Sequence, residues 1–139
     1  MSGNADFIQS LYAAFSRGDI ATILGALAPD VEWVIEGPES VPFCGTFRGP
    51  EQVSKFFEVL ATTQSGQKLE IEETYTAGDQ VITINRYSCV VNATGKNIGG
   101  TRGLHLFTVK NGKVTRFLEI FNSAAAVEAY AAAPARATA

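Results

Sequence analysis

The chain has 139 residues, 46% hydrophobic and 18% charged, which makes it globular rather than disordered. That length suits one domain, spanning 1–139, able to bury roughly two-thirds of its unfolded surface. Eleven basic against fourteen acidic residues leave a net charge of −3 with no basic stripe, so no nucleic-acid partner is expected.

The start, MSGNADFIQS, has neither the basic and apolar regions of a signal peptide nor a membrane span. Cys44 and Cys89 are too few for a disulfide framework and read as free thiols of a cytoplasmic protein. Asn92-Ala93-Thr94 matches a glycosylation sequon, taken as chance without a secretion signal.

Three segments fit a helical template. Phe7, Ile8, Leu11, Tyr12 and Phe15 form one stripe; Ile20, Ile23, Leu24 and Leu27 a second; Val53, Phe56, Phe57 and Leu60 a third. Gly18-Asp19 separates the first two, with Asp19 an N-cap, and Pro29 follows the second. Gly49-Pro50 opens the third, with Pro50 suited to its first position. Between them, Val31, Trp33 and Ile35 alternate with Glu32, Val34 and Glu36 as a strand. Residues 37–49 form a Gly- and Pro-rich loop, placed to lie over a pocket mouth.

After Gly66 the chain turns to strands. Leu69, Ile71 and Tyr75 alternate with polar neighbours, Gly78-Asp79 marks a turn, and Val81 to Val91, which includes Tyr87, is a long β-type run. Gly95, Gly99, Gly100 and Gly103 lack phosphate-loop spacing and read as a bend or bulge. The tail from Ser123 is alanine-rich, with a short helix to about Ala133 and fraying over about 134–139. Helices first and strands afterwards argue for an α+β fold, helices packed on one face of an antiparallel sheet.

The segment Thr101 to Asn122 holds the one histidine, His105, and a carboxylate, Glu119, inside an apolar hairpin. A two-residue loop at Asn111-Gly112 would pair Lys110 with Lys113, set Leu104 opposite Glu119 and send His105 and Glu119 to opposite faces. A three-residue loop, with Gly112 a left-handed bulge residue, would pair Val109 with Lys113. His105 would then face Phe117 and be a diagonal neighbour of Glu119. One face would carry His105, Phe107, Val109, Phe117, Glu119 and Phe121. The other would carry Leu104, Leu106, Thr108, Arg116, Leu118 and Ile120. With both faces apolar, both need a cover, and a partner subunit is the expected second one.

The segments Leu11 to Asp19 (LYAAFSRGD), Ala28 to Trp33 (APDVEW), Pro42 to Pro50 (PFCGTFRGP) and His105 to Asn122 resemble, in order, the nuclear-transport-factor-2-like superfamily, in its SnoaL-like and ketosteroid-isomerase-like branch. The resemblance implies a cone: a strongly curved, mostly antiparallel sheet wrapped around the N-terminal helix, with two further helices, enclosing an apolar pocket. It also implies a homodimer through the outer face of the sheet, and it puts positions 105 and 119 in the pocket, which favours the three-residue loop. Known sites of the superfamily carry over incompletely. The ketosteroid-isomerase base falls on Ile35, beside Glu36, its tyrosine on Leu11, beside Tyr12, and its second aspartate on His105. The epoxide-hydrolase-like aspartates fall on Glu119 and His105, and the arginine on Gly103, beside Arg102.

The expected function is therefore cofactor-independent acid/base chemistry (isomerase, cyclase, dehydratase or hydrolase type) on a small hydrophobic or cyclic organic molecule. Glu119 and His105 are the catalytic candidates, the carboxylate as acid or base because its charged form loses hydration among phenylalanines. Trp33, Ile35, Tyr12, Tyr87, Phe107, Phe117 and Phe121 are the substrate-binding candidates, alternatively ordinary core. Glu119 could instead pair with Arg102 or Arg86, and the whole could be a non-catalytic binding protein. One histidine without a Cys/His cluster suits no metal site, and no cofactor is implied.

Overall fold

The computed structural model describes residues 3–131. In chain order these form α1 (Asn4–Ser16), α2 (Ile20–Gly25), β1 (Leu27–Ile35), β2 (Gly45–Arg48) and α3 (Gly49–Thr63). Then come β3 (Gln64–Ala77), β4 (Gln80–Val91), β5 (Asn97–Lys110), β6 (Lys113–Phe121) and α4 (Ser123–Tyr130). The strands make one curved, unclosed sheet in the order β2-β1-β6-β5-β4-β3, in which β1 and β6 run parallel and every other pair antiparallel. This is the α+β cone expected from the sequence.

Local chemistry sets the helix ends. Asp19 caps α2, accepting from the Thr22 amide at 3.2 Å and from its hydroxyl at 2.6 Å. Pro50 sits in the first turn of α3, where its missing N–H leaves nothing unpaired. Leu27, the last member of the second helical stripe, instead begins β1, because α2 ends at Gly25. Pro29 follows, where the pairing of β1 with β6 shifts, as suits a residue that cannot donate to a ladder. The loop over 37–49 contains a strand, β2, paired antiparallel with β1 through Val34↔Thr46 and Ile35↔Gly45. The tail helix ends at Tyr130 rather than near Ala133, and the expected fraying at 134–139 lies outside the described residues.

Bulges bend the long strands. Gly99 and Gly100 together oppose Ser88, between the pairs Tyr87↔Thr101 and Cys89↔Ile98, and Gly100 has φ 55°. The bulge reading of the glycine-rich stretch therefore holds here.

The hairpin differs from the expected one. Lys110 pairs with Lys113 across a two-residue turn, Asn111 (φ 53°) and Gly112 (φ 74°), both left-handed as a type I′ turn requires. Gly112 is thus a turn residue rather than a bulge, and Val109 pairs with Val114 instead of Lys113. The turn alone would separate His105 and Glu119, but a bulge further along restores them. Thr115 is the extra residue between Val109↔Val114 and Thr108↔Arg116, and every later pair moves by one. His105 faces Glu119 directly, not diagonally. The inner face carries buried His105, Phe107, Val109 and Phe117, as expected, and the bulge adds Val114 to it.

An L-side chain in the left-handed region costs about 1–2 kcal/mol. Gly112→Ala should therefore lower unfolding stability by about that amount without changing the fold, measured as a lower urea midpoint with an unchanged slope.

Candidate functional site

The concave face of the sheet is organised in rows across the strands. One row is aromatic: Trp33, Phe117 and Phe107 stand side by side, ending at Val81. Trp33 and Phe117 stack with centroids 4.1 Å apart, and Phe107 lies 4.8 Å from Phe117. The next row reads Ile35, Glu119, His105, Thr83, and the third Phe121, Gly103, Asn85. Helices close the opposite side. Leu11, Tyr12 and Phe15 come from α1, and Phe56, Phe57 and Leu60 from α3, with Phe56 and Phe57 tilted onto Trp33 at 5.9 and 5.7 Å.

Between these walls lies a cavity lined by Tyr12, Trp33, Tyr87, His105, Phe107, Phe117, Glu119 and Phe121, together with Phe15, Phe43, Asn85, Thr101 and others. The space open to the centres of water-sized molecules is about 90 Å³. One water takes roughly 10–15 Å³ on that measure, so the cavity has room for several waters or a small organic molecule. Ile35 does not line it. Although next to Glu119 in its row, Ile35 is 1% exposed and packed solid in the core, so it presents no surface to the open space.

His105 Nε2 lies 3.5 Å from Glu119 Oε1, with the two side chains 9% and 20% exposed. On its other side, His105 Nδ1 is 2.8 Å from the Tyr12 hydroxyl, which in turn is 2.7 Å from Thr83 Oγ1. The Tyr12 ring also stacks beside the imidazole at 5.8 Å. Among the described residues no arginine pairs with Glu119. Arg86 and Arg102 both bind Glu72, at 2.8 and 3.2 Å, because alternation sends them to the outer face.

Burial pushes the Tyr12 phenol well above its ordinary value of 10.0, opposed by the bond to Thr83 and reinforced by the Glu119 charge. Burial likewise raises Tyr87, whose hydroxyl donates to Gln64 Oε1 and accepts from Gln67 at 3.1 Å. Gln64 and Thr63 continue to the Tyr130 hydroxyl, both at 2.8 Å, tying α4 to the end of α3. Cys44 is pushed up to about 11 by burial and then by the charges of Glu119 and Glu36, which makes it an unreactive thiol near neutrality. The Trp33 indole N–H is buried and has no hydrogen-bond partner among the described residues.

Thr83 and Asn85 are the polar residues that periodicity could have singled out. Val81, Thr83, Asn85, Tyr87, Cys89 and Val91 alternate along β4, and that spacing turns Thr83 and Asn85 inward, to 0% and 2% exposure. Among the described residues no group of three His, Cys, Asp or Glu could hold a metal ion, and no helix is long and apolar enough to cross a membrane.

The family model of the SnoaL-like domain matches residues 8–117. The chain belongs to the SnoaL-like family. An uncharacterised protein of Mycobacterium tuberculosis is 31% identical over 127 residues, covering 90% of this chain and 93% of its own length. A nuclear-transport-factor-2-like protein from Burkholderia thailandensis superposes with a TM-score of 0.85 at 27% identity, covering 94% of this chain and 99% of its own. TerC, co-crystallised with polyporic acid, superposes with a TM-score of 0.82 at 30% identity, covering 93% and 98%. The SnoaL-like cone is thereby established from both sequence and shape.

Tyr12 and Tyr87 make stability pH-dependent in a defined direction. Both hold their protons more tightly folded than unfolded. Their contribution is complete below the unfolded value of 10.0 and is lost as pH rises above it. The urea midpoint should fall as pH rises from about 10 to about 11, and Tyr12→Phe should fall less over the same interval.

Proposed function

We propose that this SnoaL-like protein binds a small hydrophobic or cyclic organic molecule in the cavity and performs cofactor-independent acid/base chemistry on it. The reaction would be a proton transfer, isomerisation, cyclisation or water addition. Glu119 is the acid/base group and His105 its partner. The observation that carries this reading is the His105–Glu119 pair, 3.5 Å apart on a cavity wall, with the carboxylate free of Arg86 and Arg102. A carboxylate and an imidazole within reach of each other and of one enclosed space are what general acid/base catalysis needs. The aromatic row of Trp33, Phe117 and Phe107 supplies an apolar wall for the ring of a substrate. The co-crystallisation of TerC with polyporic acid supports a ligand-holding role for this cone. The free thiols Cys44 and Cys89 fit a reducing compartment such as the cytoplasm.

Proton abstraction is detectable before a physiological substrate is known. With 2-tetralone or 2-indanone in D₂O, the wild type should accelerate deuterium uptake next to the carbonyl, read by NMR. Glu119→Gln should abolish it, and His105→Asn should reduce it by roughly 10²–10⁴-fold. Ketones that bind with unchanged affinity to wild type and Glu119→Gln, and exchange in neither, would make this a binding protein instead.

A homodimer through the outer face of the sheet belongs to the same reading. There Tyr75, Ile82, Leu106 and Leu118 form one cross-strand ladder and Ile84, Leu104 and Ile120 another. Tyr75 and Ile120 are 55% and 49% exposed. Two ion clusters flank these ladders: Arg116 and Arg48 on Glu32, and Arg86 and Arg102 on Glu72. An apolar centre with a charged rim is the anatomy of an association surface. Light scattering at micromolar concentration should give the mass of two chains, and Leu106→Glu with Leu118→Glu should give one chain or aggregate. A wild-type monomer would overturn the dimer.

A further inference from the structure

We infer that Asn85, Thr83 and Tyr12 form a one-way hydrogen-bond chain that fixes the proton of neutral His105 on Nε2. This makes His105 a hydrogen-bond donor at the cavity and leaves Glu119 as the base. The inference rests on the acid/base reading for its consequence but not for its geometry.

The direction follows from counting hydrogens. Asn85 Nδ2 lies 3.3 Å from Thr83 Oγ1 and can only donate, so the Thr83 oxygen accepts there. Thr83 is wholly buried, and its own hydrogen has one remaining partner among the described residues, the Tyr12 oxygen at 2.7 Å. Leaving a buried hydroxyl hydrogen unpaired is costly, so Thr83 donates to Tyr12. The single phenol hydrogen of Tyr12 then goes to its other neighbour, His105 Nδ1, at 2.8 Å. An Nδ1 that accepts carries no proton, and the neutral ring holds its hydrogen on Nε2. Burial, which holds the Tyr12 phenol in its protonated form, keeps this donor in place.

The other end of the ring agrees. His105 Nε2 has Glu119 Oε1, a proton acceptor, 3.5 Å away. That separation exceeds the 2.7–3.2 Å of a formed hydrogen bond, so Nε2–H stays available to a ligand oxygen. In a proton transfer, Glu119 takes the proton from a ligand carbon and becomes a carboxylic acid. The electron pair left behind moves onto the adjacent carbonyl oxygen, where His105 Nε2–H donates. Asn85 and Thr83 touch neither atom and act as positioning residues. Gly103 belongs to the same arrangement: a Cβ there would stand 3.3 Å from Asn85 Oδ1 and 3.3 Å from the Ile120 carbonyl, crowding the amide that starts the chain.

His105 is the sole histidine, so its ring nitrogens give one unambiguous set of signals. The test is a multiple-bond ¹⁵N–¹H spectrum of the labelled, ligand-free protein at alkaline pH with the ring neutral. The expected wild-type spectrum has the deshielded imine nitrogen correlated with Hε1 and only weakly with Hδ2, which marks it as Nδ1. Tyr12→Phe should move that nitrogen further downfield, toward an imine without a hydrogen bond. Thr83→Val, which keeps shape and removes the bond that polarises the Tyr12 hydroxyl, should keep the tautomer and move Nδ1 downfield by part of the Tyr12→Phe shift. A deshielded Nε2 in the wild type, a Tyr12→Phe spectrum with Nδ1 unmoved, or a Thr83→Val spectrum with Nδ1 at its wild-type shift would each overturn the inference. Backbone amide spectra confirm that each variant is folded. Since no substrate is used, this result stands apart from the deuterium-exchange test: a fixed tautomer without exchange would fault only the acid/base reading.

Discussion

The placement of one extra residue, Thr115, governs the site. A type I′ turn at Asn111-Gly112 fixes Lys110 against Lys113, and strict alternation from that pair would put Leu104 opposite Glu119. The bulge moves every later pair by one, so His105 and Glu119 meet on the concave face while Leu104 and Ile120 meet on the convex one. The turn geometry and the inward placement of the pair, which exclude each other in an unbroken ladder, coexist because the strand is locally irregular.

From that register the rest of the site assembles by adjacency. Thr83 stands on the far side of His105 because β4 pairs with β5 through Thr83↔His105, and Tyr12 reaches both from α1. Glu119 borders an aromatic row rather than an arginine, since Arg86 and Arg102 fall on outward positions and share Glu72. The cavity thus has an aromatic wall and a polar row beside it. This division of labour suits holding a ring and acting on one edge of it.

Much of the scaffold was legible in the sequence because it rests on local periodicity. The stripes Phe7–Phe15 and Val53–Leu60 became α1 and α3, Asp19 and Pro50 took the expected ends, and the hairpin faces divided as the alternation required. What was not legible depends on pairing between distant strands. Nothing in the residues Val114-Thr115-Arg116 distinguishes a bulge from continuous strand, and in a continuous strand the two-residue turn excludes a shared face. Ile35 alternates correctly with Trp33, yet packs solid where Trp33 meets the cavity, a difference set by the surrounding core and not by spacing. Thr83 and Asn85 were not singled out, although alternation along β4 turns them inward, because their importance comes from Tyr12 reaching them from another element.

The central claim is that the imidazole and the carboxylate face each other across the hairpin, and a distance tests it directly. Solid-state NMR dipolar dephasing between ¹⁵N in the ring of the single histidine and ¹³C in glutamate carboxyls measures that separation. The account predicts strong dephasing, matching the 3.5 Å between His105 Nε2 and Glu119 Oε1, and its loss in Glu119→Gln. Absence of dephasing in the wild type would mean that the two side chains lie on opposite faces of the sheet, and would contradict it.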